Sequence, residues 1–283
     1  MIVSFHKMHG LGNDFVVVDT RSTAWMPDSD LVRALAERRT GIGCDQLLLL
    51  VPPTDPDCAA GVLIRNADGE PAEQCGNGLR CVALLLDRHG ELDAGSARLQ
   101  TPGGEVIIER AGNHGYATLL PPPRLPDDDR ATPLTVTDET IAAYRVDTGN
   151  PHAVVLSQAP DADRHRLGRA LSEHPTFAGG CNAGFAALID ADQARLSVWE
   201  RGAGPTRACG TGAAAAAAVL IRYAGAAQPL HVTQPGGRVV IEWRQPEGPL
   251  RLAGPADHVF TGRLDPTSLV PPAAKPAGRQ SAL

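Results

Sequence analysis

Thr101-Pro102-Gly103-Gly104-Glu105-Val106-Ile107-Ile108-Glu109 returns 133 residues later as Gln234-Pro235-Gly236-Gly237-Arg238-Val239-Val240-Ile241-Glu242. Reading outward from this phrase, other pairs fall into step. Cys75-Gly76-Asn77-Gly78 matches Cys209-Gly210-Thr211-Gly212 at an offset of 134. Gly43-Cys44-Asp45 matches Gly180-Cys181-Asn182 at 137, and Gly12-Asn13-Asp14-Phe15 matches Gly149-Asn150-Pro151-His152, again at 137. Any one pair is explicable as chance, but four pairs in one order with nearly constant offset are not. The chain is two copies of one α/β unit.

Local signals within the copies agree. Phe15 to Asp19 and Ala60 to Asn66 are apolar or β-branched runs of strand length, echoed by His152 to Leu156, Arg195 to Trp199 and Val239 to Trp243. Leu31 to Arg39 reads as a helix, capped from Asp28, Ser29 or Asp30 and stopped by Gly41. Val106 to Arg110 and Tyr116 to Leu120 flank Gly112-Asn113-His114-Gly115, a hairpin signal. After each Cys-Gly-x-Gly a helix follows, Leu79 to Arg88 and Ala213 to Tyr223, the second opening on six alanines. The Pro- and Asp-rich stretch from Pro121 to Asp129 places the boundary, giving domains 1–124 and 125–265. Residues 266–283 have the composition of a flexible tail.

Composition narrows the function. Hydrophobic residues make up 43% of the 283, enough for sizeable cores, but aromatics only 4%, so the cores rest on Val, Leu, Ile and Ala. The net charge of −6 and the lack of a basic run argue against a nucleic-acid partner. The longest strictly apolar run, Ala213 to Ile221, is far short of the ~20 residues of a membrane helix. The N-terminus shows no export signal, so the expected location is the cytoplasm, with all six cysteines as free thiols. No C-x-x-C occurs, and no metal or cofactor is expected.

Cys75 and Cys209 each lead from a loop into a helix N-terminus, where unpaired N–H groups and the helix dipole favour negative charge. Two consequences are expected there: a lowered thiol pKa, and a carboxylate cradle at the amides of Gly76-Asn77 and Gly210-Thr211. If the copies face each other, two thiols flank one carbon. One thiolate then removes the α-proton of an amino acid, and the other thiol returns a proton from the opposite face. A phosphate-binding pair of glycine turns is the bland alternative, without the Gly-Lys-Ser/Thr or G-x-G-x-x-G that would support it. A non-catalytic thiol redox sensor is another; it has no reason to exchange a substrate α-proton.

Along nearly all of its first 265 residues the chain resembles diaminopimelate epimerases. The stretches that carry the likeness are Gly10-Leu11-Gly12-Asn13-Asp14-Phe15, Gly41-Ile42-Gly43-Cys44-Asp45-Gln46, Arg65-Asn66-Ala67-Asp68-Gly69 and Cys75-Gly76-Asn77-Gly78-Leu79-Arg80-Cys81. Gly149-Asn150-Pro151-His152, Glu200-Arg201-Gly202-Ala203-Gly204 and Ala208-Cys209-Gly210-Thr211-Gly212 complete the set. The resemblance implies two pseudo-symmetric α/β (α+β) domains, each a bent, mostly antiparallel sheet or barrel around a central helix, with the last strand returning to the first domain. It implies a cofactor-independent epimerase converting LL- to meso-diaminopimelate in lysine and peptidoglycan synthesis, working as a homodimer. Cys75 and Cys209 would be the acid/base thiols, with His152 and Glu200 assisting. Asn13, Gln46, Asn66, Asn150, Asn182 and Glu200 would line the substrate site, and Arg201 would pair with the distal carboxylate. Gly76, Asn77, Gly210 and Thr211 would cradle the reacting carboxylate.

There are departures from the family pattern. Gly184, Arg207 and Gln74 replace an acidic residue, an apolar residue and a methionine, and Phe260 stands for a tyrosine associated with the dimer. The nearest rival is a cofactor-independent racemase of proline, hydroxyproline or histidine, which would need no Arg201. Closure of the two domains over substrate is a further expectation, since it would keep water from a carbanion-like intermediate.

Overall fold

The computed structural model describes residues 1–269 apart from 73, 74, 93, 127–129 and 246. Gln74, the end of the boundary stretch and the tail from 270 onward lie outside the described residues. The first copy comprises β1 (Val3–Gly10), β2 (Asn13–Asp19), α1 (Ser29–Ala36), β3 (Gln46–Val51), β4 (Ala60–Asn66), β5 (Pro71–Ala72), α2 (Gly76–Arg88), β6 (Ser96–Thr101), β7 (Gly104–Arg110) and β8 (Tyr116–Leu120). After β9 (Thr132–Val136) the same series runs again. It comprises β10 (Glu139–Asp147), β11 (Pro151–Leu156), α3 (Pro160–Ser172), β12 (Asn182–Asp190), β13 (Gln193–Glu200), β14 (Gly204–Pro205), α4 (Gly210–Tyr223), β15 (Leu230–Gln234), β16 (Gly237–Glu242) and β17 (Leu250–Gly254). The last strand is β18 (Asp257–Leu264).

Pairing repeats as faithfully as order. In the first copy β2 runs parallel to β3 and β4 to β6, with antiparallel partners elsewhere; in the second, β11 and β12, then β13 and β15, take those places. β8 and β17 pair antiparallel and join the two sheets. β9 pairs with the first strand of the second copy, and β18 pairs with the first strand of the first copy. The C-terminal strand thus does for the first copy what β9 does for the second. The repeat is permuted across the chain ends.

β2 and β3 are buried on both faces, which explains their continuous apolar runs. Successive residues alternate: Phe15, Val17, Leu48 and Leu50 face α2, while Val16, Val18, Leu47 and Leu49 face α1. In the second copy α4 fills the inside and α3 covers the outside. Ala213 to Ala218 are all fully buried, so the small side chains let the central helix lie close to the surrounding strands.

Two local expectations shift. The first helix ends at Ala36 rather than Arg39, because Glu37 leaves the helical conformation and the returning chain supplies partners for the final carbonyls. Ile42 and Gly43 donate to Leu35 O, and a Cβ on Gly41 would lie 2.2 Å from Ala34 O. The strand register also places Asn182 in the position of Gln46, one residue on from Asp45, with which the sequence match pairs it. Phe15 faces Gln46 in one copy, and His152 faces Asn182 in the other.

Candidate active site

Cys75 and Cys209 are the N-caps of the two central helices. Each has extended backbone, and each sulfur accepts from the N–H three residues on, Gly78 at 3.4 Å and Gly212 at 3.3 Å. A thiol here does what Ser or Asp does at an ordinary N-cap. The two helix starts meet: a Cβ on Gly210 would stand 3.6 Å from Asn77 Oδ1 and 3.8 Å from Gly76 Cα. Asn77 reaches across from α2, donating to Ala208 O at 3.4 Å and to Asn13 Oδ1 at 3.2 Å.

Both caps open on a cleft of about 1480 Å³ between the copies. Around it stand Asn13, Gln46, Asn66, Cys75, Gly76, Asn77, Asn150, Asn182, Glu200, Arg201, Cys209, Gly210 and Thr211. The side chains come from strand ends and turns that the repeat makes equivalent. Asn66 and Glu200 end β4 and β13, and Gln46 and Asn182 begin the neighbouring strands. Gln46 Nε2 donates to Asn66 Oδ1 at 2.8 Å, while Asn182 Oδ1 accepts from the Arg201 backbone N–H at 2.9 Å. His152 is the exception among the predicted residues. It is buried behind the lining, its Nε2 2.9 Å from Asn150 Oδ1. Of the departures, Arg207 lines the cleft and Gly184 does not, lying mid-strand between Val154 and Val198.

Comparison with known proteins points to one family. The family model for diaminopimelate epimerase matches residues 5–118 and 144–259, one segment in each copy. The chain belongs to the diaminopimelate epimerase family. A diaminopimelate epimerase of Rhizorhabdus wittichii is 43% identical over 276 residues, covering 94% of this chain and 96% of the relative. One of Pseudomonas syringae pv. tomato is 40% identical over 275 residues, covering 93% and 99%. Among solved structures, a hydroxyproline epimerase of Agrobacterium vitis superposes with a TM-score of 0.70 at 16% identity, over 94% of each chain. A phenazine biosynthesis protein of the PhzF family from Bacillus anthracis gives 0.71 at 14% identity, over 93% of this chain and 99% of its own. These two share the fold.

One electrostatic expectation is overturned for this epimerase-family site. The thiols are not acidified in the open cleft. Burial pushes Cys75 up to about 11 and Cys209 well above its ordinary value, and the Glu200 carboxylate raises both further. The N–H bonds from Gly78 and Gly212 pull the other way but do not outweigh the loss of water. Burial likewise raises Glu200, against a hydrogen bond from Thr206 Oγ1 at 2.5 Å. Two groups that both resist charge therefore sit together, and a bound cation would favour the thiolate. Burial and Arg201 lower His152 to about 3, so the imidazole is neutral at pH 7.

Several supporting residues escaped the sequence reading. Gln234 Oε1 accepts the Cys209 N–H at 2.9 Å, and Thr206 holds Glu200. Asp45 Oδ2 accepts from Asn13 Nδ2 at 2.8 Å and is itself held by Arg38. Gln234 opens the repeated phrase Gln234-Pro235-Gly236-Gly237, so the repeat held a signal for it. Thr206 and Arg38 are loop residues whose partners only the fold brings near.

Proposed function

We propose that this protein epimerises LL-2,6-diaminopimelate to the meso form by a two-base mechanism, supplying lysine and peptidoglycan precursors. The carrying observation is the pair of thiol-capped helix starts that meet at one cleft. One thiolate takes the α-proton, and the opposite thiol delivers a proton to the other face. Amides of Gly76, Asn77, Gly210 and Thr211 hold the α-carboxylate and stabilise charge developing on it. The raised thiols fit this reading, because the substrate's ammonium group brings the missing cation. The resting thiol is thus protected until substrate arrives.

Arg201 supplies a bidentate fork for the distal carboxylate, which distinguishes this substrate from proline or histidine. Asn13, Gln46, Asn66, Asn150 and Asn182 offer both donors and acceptors to a zwitterion. Glu200 sits beside Cys209 as the auxiliary acid/base group, and His152 acts on substrate through Asn150. The cleft is wider than the ~300–1,000 Å³ of most ligand pockets, which favours closure of domains 1–124 and 125–265 on binding. Working thiols need a reducing compartment, consistent with the cytoplasm. Val259 and Phe260, exposed on β18, offer an apolar surface for a homodimer.

The test is incubation of reduced protein with LL-diaminopimelate in heavy water, following deuterium at the α-carbon by mass. Deuterium entry with inversion, lost in Cys75→Ala and in Cys209→Ala, is the expected result. No exchange by folded, reduced protein would overturn the substrate, and proline, hydroxyproline and histidine would be tried next.

A further inference from the structure

Arg80 belongs to α2, and its side chain is wholly buried. Helical side chains lean toward the N-terminus, so the guanidinium lies beneath the start of the helix that Cys75 caps. Its Nη2 donates to Asn77 Oδ1 at 2.8 Å, and Nη1 and Nε reach Gly76 O at 3.5 Å and Pro255 O at 3.4 Å. Gly10 and Gly254 make room for it: Cβ atoms there would stand 3.4 Å from Nη2 and 3.3 Å from Cζ. Among the described residues no carboxylate pairs with it. A guanidinium stays protonated at neutral pH even so, and burial of a lone cation is costly.

A buried cation without an anion points to an anion that arrives or forms during the reaction. The titratable groups facing Arg80 are the thiols of Cys75 and Cys81, and Glu200 faces Cys75 from the other side of the cleft. Cys81 is fully buried within the core around α2, so Cys75 and the carboxylate cradle are what a substrate can reach. The 134-residue offset puts Ala214 in the matching place beneath Cys209, while Glu200 stands beside that thiol. One thiol has a cation behind it and the other a carboxylate beside it.

We propose that Arg80 is a positioning residue that biases the single thiolate of the working site toward Cys75 and leaves the resting proton on Cys209. The guanidinium holds Asn77, and through it the cradle amides, while its charge favours an anion at the first helix start. The idea rests on the two-base reading above and adds which thiol is charged first. Enzyme at rest then accepts the stereoisomer whose α-hydrogen faces Cys75.

The experiment measures alkylation by iodoacetamide against pH, read by peptide mass at Cys75 and Cys209 separately, in wild type, Arg80→Met and Arg80→Lys. In wild type Cys75 is expected to react at lower pH than Cys209. In Arg80→Met the Cys75 profile should move up by about one pH unit, a tenfold smaller thiolate fraction at pH 7, with Cys209 unmoved. Arg80→Lys should return most of that shift. A Cys75 profile unmoved in a folded Arg80→Met protein would overturn the proposal, as would the reverse order of the two thiols in wild type. The wild-type order needs no variant to fold. Because no diaminopimelate is present, failure to turn over that substrate would overturn the functional reading without touching this one.

Discussion

Beneath the first thiol lies a buried arginine; in the same place beneath the second lies an alanine. Where the first copy has Asn66 at the end of its strand, the second has Glu200. The backbones of the two copies are equivalent strand for strand, yet the charges around their thiols differ in sign. The difference teaches that symmetry here serves geometry, placing two sulfurs and two helix starts around one cleft. On the proposed two-base mechanism asymmetry serves the protonation states, since a thiol and a thiolate would have to coexist there.

The comparison breaks most visibly at the sulfurs. Cys75→Ala and Cys209→Ala should each cut epimerisation by roughly 10²–10⁴-fold, the usual worth of a positioned acid or base. Variants that keep full inversion would show that one thiol suffices. Next in size is Glu200→Gln, expected to lower activity about 10–100-fold. The sign of its effect on the thiol runs opposite. A carboxylate beside Cys209 raises that thiol, so removing the charge should move Cys209 alkylation to lower pH. An unmoved profile would mean that Glu200 is neutral in the free protein.

The two glycines of one cap sharpen the comparison further. A Cβ on Gly76 would meet nothing within 4 Å, whereas on Gly78 it would meet Leu48 Cδ1 at 2.9 Å. Gly76→Ala should fold normally with KM raised several-fold, because its methyl enters the proposed carboxylate cradle. Gly78→Ala should lose about 1–3 kcal/mol of stability by overpacking, read as a lower melting temperature. Equal thermal shifts in the two variants would refute this division of labour. The smallest effects lie at the outer helices. Asp28 caps α1 through Leu31 N at 2.8 Å, while α3 starts at Ala159 with no side-chain cap. Asp28→Ala should cost ~1 kcal/mol in urea unfolding and Ala159→Asp should gain a smaller amount.

Much of this was legible in the chain. The cap and the helix behind it are local events, so Cys-Gly-x-Gly announced both α2 and α4, and strand-length runs announced β2, β4 and β13. The spacing of the repeats announced that the copies are alike. Less legible was anything that depends on water. The helix-start rule alone predicts an acidified thiol, but the same helices are buried in sheets, and desolvation at Cys75 and Cys209 exceeds the gain from two N–H groups. His152 was grouped with the site by the family resemblance. Strand alternation puts it on the face of Val154, toward the central helix, where it is buried and bonded to Asn150.

The sequence by itself determined the repeat and the two thiol caps, because these rest on residue identity and short-range geometry, whereas the Asn, Glu and Arg set around them came from the family resemblance. That β18 completes the first copy was implied by the family resemblance but by no local signal, and the tertiary structure shows it, since pairing across the chain ends has no local cause. The tertiary structure alone set Asn182 in the place that Gln46 takes in the first copy, through the parallel ladders that fix register. It also decided that Arg80 lies under one thiol with no anion beside it. Charge neighbours and loss of solvent are properties of packed surroundings, and the chain acquires them only when its two halves close on their helices.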